Sequence, residues 1–221
     1  MPVVAPTLVI TKACFAGTEV VTLSTGVKLP ISEVRIGDSI LAYSRSDGLK
    51  YSEVIALPHG KNTHMAEFIR LVLSSGKDIK MTAQHLLPVA DCTHATTART
   101  QCDVCSTLDI PYNTLKPTSK VRIGQCLLTT TGQEEVIRLY RTYERGIYTA
   151  ITLEEFIIVN DIIASPYAVS HIIGHSFYHI PRMLYSLFPS LWRSDWVSRA
   201  VPRVLDEFSG LVEALPFPSF I

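Results

Sequence analysis

The sequence predicts an all-β domain made of two similar halves, followed by a short α-helical appendage, and three observations carry that prediction. Residues 18–90 hold short β-branched or apolar runs separated by turn residues, the pattern of many short strands. Three short stretches recur later in the chain, in the same order. From Ser170 onward the strand pattern gives way to apolar and aromatic residues at helical spacing, broken by prolines.

The strand candidates are Glu19-Val20-Val21-Thr22-Leu23, Ser39-Ile40-Leu41-Ala42-Tyr43, Phe68-Ile69-Arg70-Leu71-Val72-Leu73 and Ile79-Lys80-Met81-Thr82. Turn signals separate them at Ser24-Thr25-Gly26, Ser46-Asp47-Gly48 and Ser74-Ser75-Gly76-Lys77. The first echo carries Val34-Arg35-Ile36-Gly37-Asp38 onto Val121-Arg122-Ile123-Gly124-Gln125, 87 residues on. Glu53-Val54-Ile55 returns as Glu135-Val136-Ile137 after 82, and Thr82-Ala83-Gln84-His85-Leu86-Leu87-Pro88-Val89 is loosely matched by Asn160-Asp161-Ile162-Ile163-Ala164-Ser165-Pro166-Tyr167 after 78. Order and shrinking offsets together predict two β-subdomains related by a pseudo-two-fold axis, with loops of unequal length. In the tail, Val204, Leu205, Phe208, Leu211, Val212 and Leu215 recur at three- and four-residue steps, which predicts an amphipathic helix. Prolines 181, 189, 202, 216 and 218 cut this segment into short pieces. The expected organisation is an upstream remnant (1–13), a β domain (14–169) and a helical tail (170–221).

Composition narrows the function. Hydrophobic residues make up 47% of the 221 and charged residues 18%, and Lys plus Arg balance Asp plus Glu at 20 each. A neutral chain without a basic stripe lacks the clustered positive charge that nucleic acid requires. The first residues, Met1-Pro2-Val3-Val4-Ala5-Pro6, have no positive n-region, so any secretory signal is expected upstream. The uncharged run 162–181 contains Pro166 and three histidines, which makes it a poor membrane span. Five cysteines occur, at 14, 92, 102, 105 and 126. Four of them can form two disulfides and leave Cys14 as the odd thiol, a pattern suited to the secretory pathway and the extracellular space. A zinc site made by Cys92, His94, Cys102 and Cys105 is the alternative. His171, His175 and His179 share a helical spacing but lack further nameable ligands, so no metal is assigned.

Cys14 leads directly into the first predicted strand, and Thr82 and His85 sit three residues apart where another strand ends. A thiol is the strongest neutral-pH nucleophile among side chains, and an imidazole can exchange its proton. Cys14-Phe15-x-Gly17, Val34-Arg35-Ile36-Gly37-Asp38, Thr82-x-x-His85 and Val159-Asn160-x-Ile162-Ile163-Ala164-Ser165-x-Tyr167-Ala168 resemble, in this order, the motifs of the Hedgehog C-terminal autoprocessing domain. That domain belongs to the Hint superfamily shared with inteins.

The resemblance implies a self-cleaving Hint domain from the cell–cell signalling proteins. Cys14 would attack the Ala13 carbonyl in an N-to-S acyl shift. Thr82 and His85 would polarise the Ala13–Cys14 amide, with His85 passing a proton to the Cys14 nitrogen. A second nucleophile would then release the upstream segment, the chain's own partner. In the family it is a sterol such as cholesterol, a co-substrate rather than a cofactor, and the tail 170–221 would meet sterol or membrane surface. The aspartate expected to activate the sterol is matched by His59, which can also serve as a base. Water and other acceptors therefore stay open. Ser165-Pro166-Tyr167-Ala168 lacks the family's second thiol, and Val159-Asn160-Asp161 lacks the His-Asn pair that excision would need. The competing reading is a Hint module without turnover, acting as a secreted binding or folding partner.

Overall fold

The computed structural model describes residues 14–58, 64–92, 110–167 and 178–192, together with 176 and 194. Thirteen strands follow one another among these residues: β1 (Val20–Thr22), β2 (Lys28–Pro30), β3 (Ser39–Ser44), β4 (Gly48–Ala56), β5 (Met65–Leu73), β6 (Asp78–Met81), β7 (Leu86–Asp91), β8 (Leu115–Pro117), β9 (Gln125–Thr129), β10 (Gly132–Arg145), β11 (Ile151–Thr152), β12 (Phe156–Val159) and β13 (Ile162–Ala164). Strands β1 and β2 form a hairpin of their own. The other eleven make one curled sheet in the order β11-β4-β3-β12-β13-β9-β10-β5-β6, with β7 joining β9 on one side and β8 on the other. The predicted strands and turns fall where expected. β10 was not among them, because both of its faces carry exposed polar residues and no apolar alternation marks it.

The halves repeat in three dimensions. β2 and the 3-10 turn Ile31–Glu33 lie 87 residues before β8 and the 3-10 turn Thr118–Lys120. The Arg35 N–H donates to Asp38 Oδ2 at 2.7 Å, as the Arg122 N–H donates to Gln125 Oε1 at 3.0 Å. Gly37 and Gly124 then take left-handed φ values of 92° and 88°, which explains a glycine in both copies. Their N–H groups donate to Val54 O and Val136 O at 2.8 and 3.0 Å, so the 82-residue offset is structural as well. No pairing repeats at 78: β6 pairs with β5 and meets Phe15, whereas β12 pairs with β3 and β13.

The third echo needs a correction at its turn. The stretch 82–85 corresponds not to 160–163 but to 16–19, at an offset of 66 that the sequence does not reveal. That offset carries β1 onto β7: Val20 pairs Pro30 as Leu86 pairs Pro117, and the Leu23–Ile40 bridge repeats as Val89–Leu127. The Ile31 N–H donates to Glu19 O at 2.7 Å, as the Thr118 N–H donates to His85 O at 2.8 Å. Asn160 and Asp161 instead form a tight hairpin turn with φ of 50° and 64°. The halves also exchange strands. β4 of the first pairs with β11 of the second, and β10 of the second pairs with β5 of the first.

The described part of the tail holds α1 (His179–Leu187) and a short α2 (Pro189–Trp192). Arg182 anchors α1 to the sheet. Its Nε donates to Thr152 O at 2.9 Å, and its Nη2 donates to Glu154 O at 3.0 Å and to Tyr167 Oη at 2.6 Å. Tyr178 stacks on Tyr167, and Tyr185 packs with Ile55 and Ile151 and bonds to Glu53. The predicted helix at 201–215 lies outside the described residues, as do His171 and His175. His179 opens α1 as an exposed residue. No described helix is long and apolar enough to cross a membrane.

Candidate active site

The residues Cys14, Phe15 and Ala16 form a short extended segment held between β6 and Tyr148. Phe15 bridges Met81 on one side and Tyr148 on the other, with the Phe15 N–H donating to Tyr148 O at 2.7 Å. The next ladder step toward the N-terminus joins Cys14 to Thr82. The Thr82 N–H donates to Cys14 O at 2.9 Å. In an ordinary antiparallel pair the Cys14 N–H would return a bond to Thr82 O. That carbonyl is occupied by the His85 N–H at 3.1 Å, which closes the turn 82–85. The Cys14 N–H donates to the Thr82 hydroxyl instead, at 2.9 Å. The nitrogen of the predicted scissile bond is thus held by a group that can both accept and donate a proton.

His85 is fully buried with its ring edge-on to Phe15, centroid to centroid 4.2 Å. Burial pushes its pKa from 6.5 down to about 3, against a weaker opposite pull from the Ser165 main chain. At neutral pH the imidazole is therefore uncharged and has one N–H and one lone pair. Cys14 is likewise fully buried, packed with Ala16, Phe68 and Ile147. Gly17 follows because a Cβ there would lie 2.7 Å from Tyr148 Cε2 and 3.1 Å from Ser32 Cβ.

The fold brings Cys14, Thr82 and His85 together, while Ala13 and His59 lie outside the described residues. Cys92 is bonded to Cys126 with Cα atoms 5.0 Å apart, which withdraws Cys92 from the alternative zinc set. His94, Cys102 and Cys105 also lie outside. Among the described residues no three His, Cys, Asp or Glu side chains are grouped to hold a metal.

Sequence reasoning missed a second polar group beside the site. Glu19 is 2% exposed, and burial raises its carboxyl pKa from 4.5 to about 7 in spite of Lys80. Its Oε2 accepts the Lys80 main-chain N–H at 3.0 Å and Asn160 Nδ2 at 2.7 Å, and Lys80 Nζ lies 3.3 Å from Oε1. Asn160 also donates to Asp78 O and accepts the Val20 N–H, both at 2.7 Å. Glu19 stands one offset of 66 before His85, but apolar residues at 20, 21 and 23 against 86, 87 and 89 are all that the two stretches share in sequence.

Comparison with known proteins agrees with this architecture. The Hint module family model matches residues 5–205. Protein qua-1 of Caenorhabditis elegans is 32% identical over 168 residues, which make up 74% of this chain and 14% of that protein. Warthog protein 6 of the same organism is 31% identical over 157 residues, 69% of this chain and 24% of the relative. Sonic hedgehog protein of Danio rerio is 29% identical over 162 residues, 71% and 36% respectively. The chain thus spans well under half the length of these relatives. A DnaB intein from Synechocystis superposes with a TM-score of 0.51 at 16% identity, covering 69% of this chain and 97% of the intein. A gp41-1 intein variant gives 0.51 at 15%, covering 69% and 98%. At such identities the inteins share the fold alone. Motif order, duplicated β architecture and family model converge: the chain belongs to the Hint module family.

Proposed function

We propose that the chain cleaves itself at the Ala13–Cys14 peptide bond, with its own upstream segment as substrate. The observation that carries this reading is the bond from the Cys14 N–H to the Thr82 hydroxyl, in a ladder whose competing carbonyl is taken by the turn to His85. In the acyl shift, Cys14 Sγ bonds to the Ala13 carbonyl carbon and the carbon–nitrogen bond breaks. One proton leaves the thiol and one arrives at the Cys14 nitrogen, so the composition is unchanged. A neutral imidazole can receive the first and supply the second, and an imidazolium this acidic hands its proton on readily. As the nitrogen becomes pyramidal and gains a lone pair, the Thr82 hydroxyl can turn from acceptor to donor.

The thioester is then resolved by a sterol such as cholesterol, by water or by another nucleophile, with His59 as the base for that step. The tail 170–221 would contact sterol or a membrane surface. The Cys92–Cys126 disulfide supports residence in the secretory pathway or outside the cell. Likeness to the hedgehog, warthog and qua-1 proteins supports the same reading.

The test is a fusion with a reporter placed upstream of Ala13. Hydroxylamine or dithiothreitol should release the reporter, and Cys14→Ala should abolish release. Thr82→Ala or His85→Ala should slow it by roughly 10² to 10⁴, the usual worth of positioned proton transfer. A wild-type fusion that stays intact under both agents overturns the reading and favours a binding or folding partner.

A further inference from the structure

The turn 16–19 mirrors the turn 82–85. In the first, the Glu19 N–H donates to Ala16 O at 3.1 Å, just as the His85 N–H donates to Thr82 O. The segments 14–16 and 80–82 pair with each other, and the offset of 66 carries Phe15 onto its own partner Met81. The pseudo-two-fold axis therefore passes between these two residues. Ala16 also pairs with Lys80, and the Ala16 N–H donates to Lys80 O at 3.1 Å. The return bond from the Lys80 N–H is not made to Ala16 O, which accepts the turn's Glu19 N–H. It goes to the Glu19 carboxylate. Three hydrogen bonds thus close a ring: Ala16 to Lys80, Lys80 to Glu19, and Glu19 back to Ala16.

We propose that Glu19 is a positioning residue for cleavage: its carboxylate caps the Lys80 end of the ladder between Cys14-Phe15-Ala16 and β6, and so fixes the register in which Thr82 meets the Cys14 nitrogen. The inference rests on the self-cleavage reading and adds a residue to it. Only Met81 separates Lys80 from Thr82, so a slip at Lys80 reaches the scissile nitrogen through a continuous strand. The charged groups around the carboxyl are Lys80 and Asp78 on β6, with Glu144 on β10 sharing the Lys80 ammonium. Asn160 supplies a neutral donor from the β12–β13 turn. The ionised carboxylate accepts from all three donors, whereas the protonated acid gives up the ion pair to Lys80. The competent form is the ionised one, and cleavage should switch on as Glu19 loses its proton near pH 7.

Two measurements test this. Hydroxylamine release from the fusion should rise through an inflection near pH 7, and Glu19→Gln should remove that inflection and run about tenfold slower above it, the loss of one charge-assisted hydrogen bond. In a Cys14→Ala chain, which cannot cleave, the Lys80 amide proton should shift in NMR with a midpoint near 7, and the shift should vanish in Glu19→Gln. Failure of the wild-type fusion to cleave would sink the self-cleavage reading, and the capping role with it, whatever the NMR shows. A cleaving wild type with no inflection near 7 would overturn the role of Glu19 alone. So would a Glu19→Gln chain with the wild-type rate and profile, or a Lys80 amide indifferent to pH. The wild-type profile and the Cys14→Ala spectrum need no folded Glu19 variant.

Discussion

Glu19 and His85 occupy equivalent places in the two halves and answer burial with opposite shifts. His85 titrates near 3 in the folded chain and near 6.5 when unfolded, so the stability it contributes is present above 6.5 and is lost as pH falls to 3. At about 1.4 kcal/mol per unit that is on the order of 5 kcal/mol. Glu19 titrates near 7 when folded and 4.5 when unfolded, so its contribution is full below 4.5 and lost as pH rises through 7. Its size is about 3 kcal/mol on the same scale. Between pH 4.5 and 6.5 one slope offsets the other. Urea midpoints of a Cys14→Ala chain should therefore be flat over that window and drop below it, while adding Glu19→Gln should make them climb across it. A midpoint that stays flat in the Gln chain would show that Glu19 does not bury its proton on folding. Cys14, Thr82 and His85 were legible in the sequence because motif and spacing mark them. Glu19 was not, since an acidic residue after a turn looks like surface until the ladder shows its partner.

The strands singled out in the sequence, β1, β3, β5 and β6, are those whose apolar or β-branched runs adjoin a turn signal. β10 failed that criterion, and α1 was legible only as helical character without its docking face. The reason is a mixed attachment, in which Arg182 bonds to the sheet beside the packed Tyr178 and Tyr185 and no simple apolar stripe marks the face. Removal of Arg182 would leave the Tyr167 hydroxyl and two carbonyls without their donor. Arg182→Met should cost about 2–4 kcal/mol and speed amide exchange across α1 more than in the sheet. Uniform exchange rates in both elements would show that α1 is held by its tyrosines instead. Gly17→Ala drives a methyl toward the Tyr148 ring and should cost about 1–3 kcal/mol. Because Tyr148 also pairs with Phe15, thermal melting and cleavage rate should fall together in that variant, and a melting point unchanged from wild type would refute the clash.

At the scale of the whole molecule, the exchanged strands make each half complete only in the presence of the other. The Cys92–Cys126 bridge adds a covalent tie across a separation of 34 residues, and Cys126→Ser should lower stability by roughly 2–4 kcal/mol. Dithiothreitol would break that tie while also attacking the thioester, so agreement between it and hydroxylamine separates chemistry from unfolding. The duplication itself was legible from the first two echoes, but its axis was not, because the offset of 66 joins residues that share only hydrophobicity. An axis through Phe15 and Met81 gives the peptide bond before Cys14 a twin, the bond between Ile79 and Lys80. The two nitrogens meet side chains of different chemistry: Cys14 donates to the Thr82 hydroxyl, which can return a proton, and Lys80 donates to the Glu19 carboxylate, which once ionised can only accept. Symmetry of backbone therefore carries no symmetry of chemistry, and one exchanged side chain suffices to make two like places unlike.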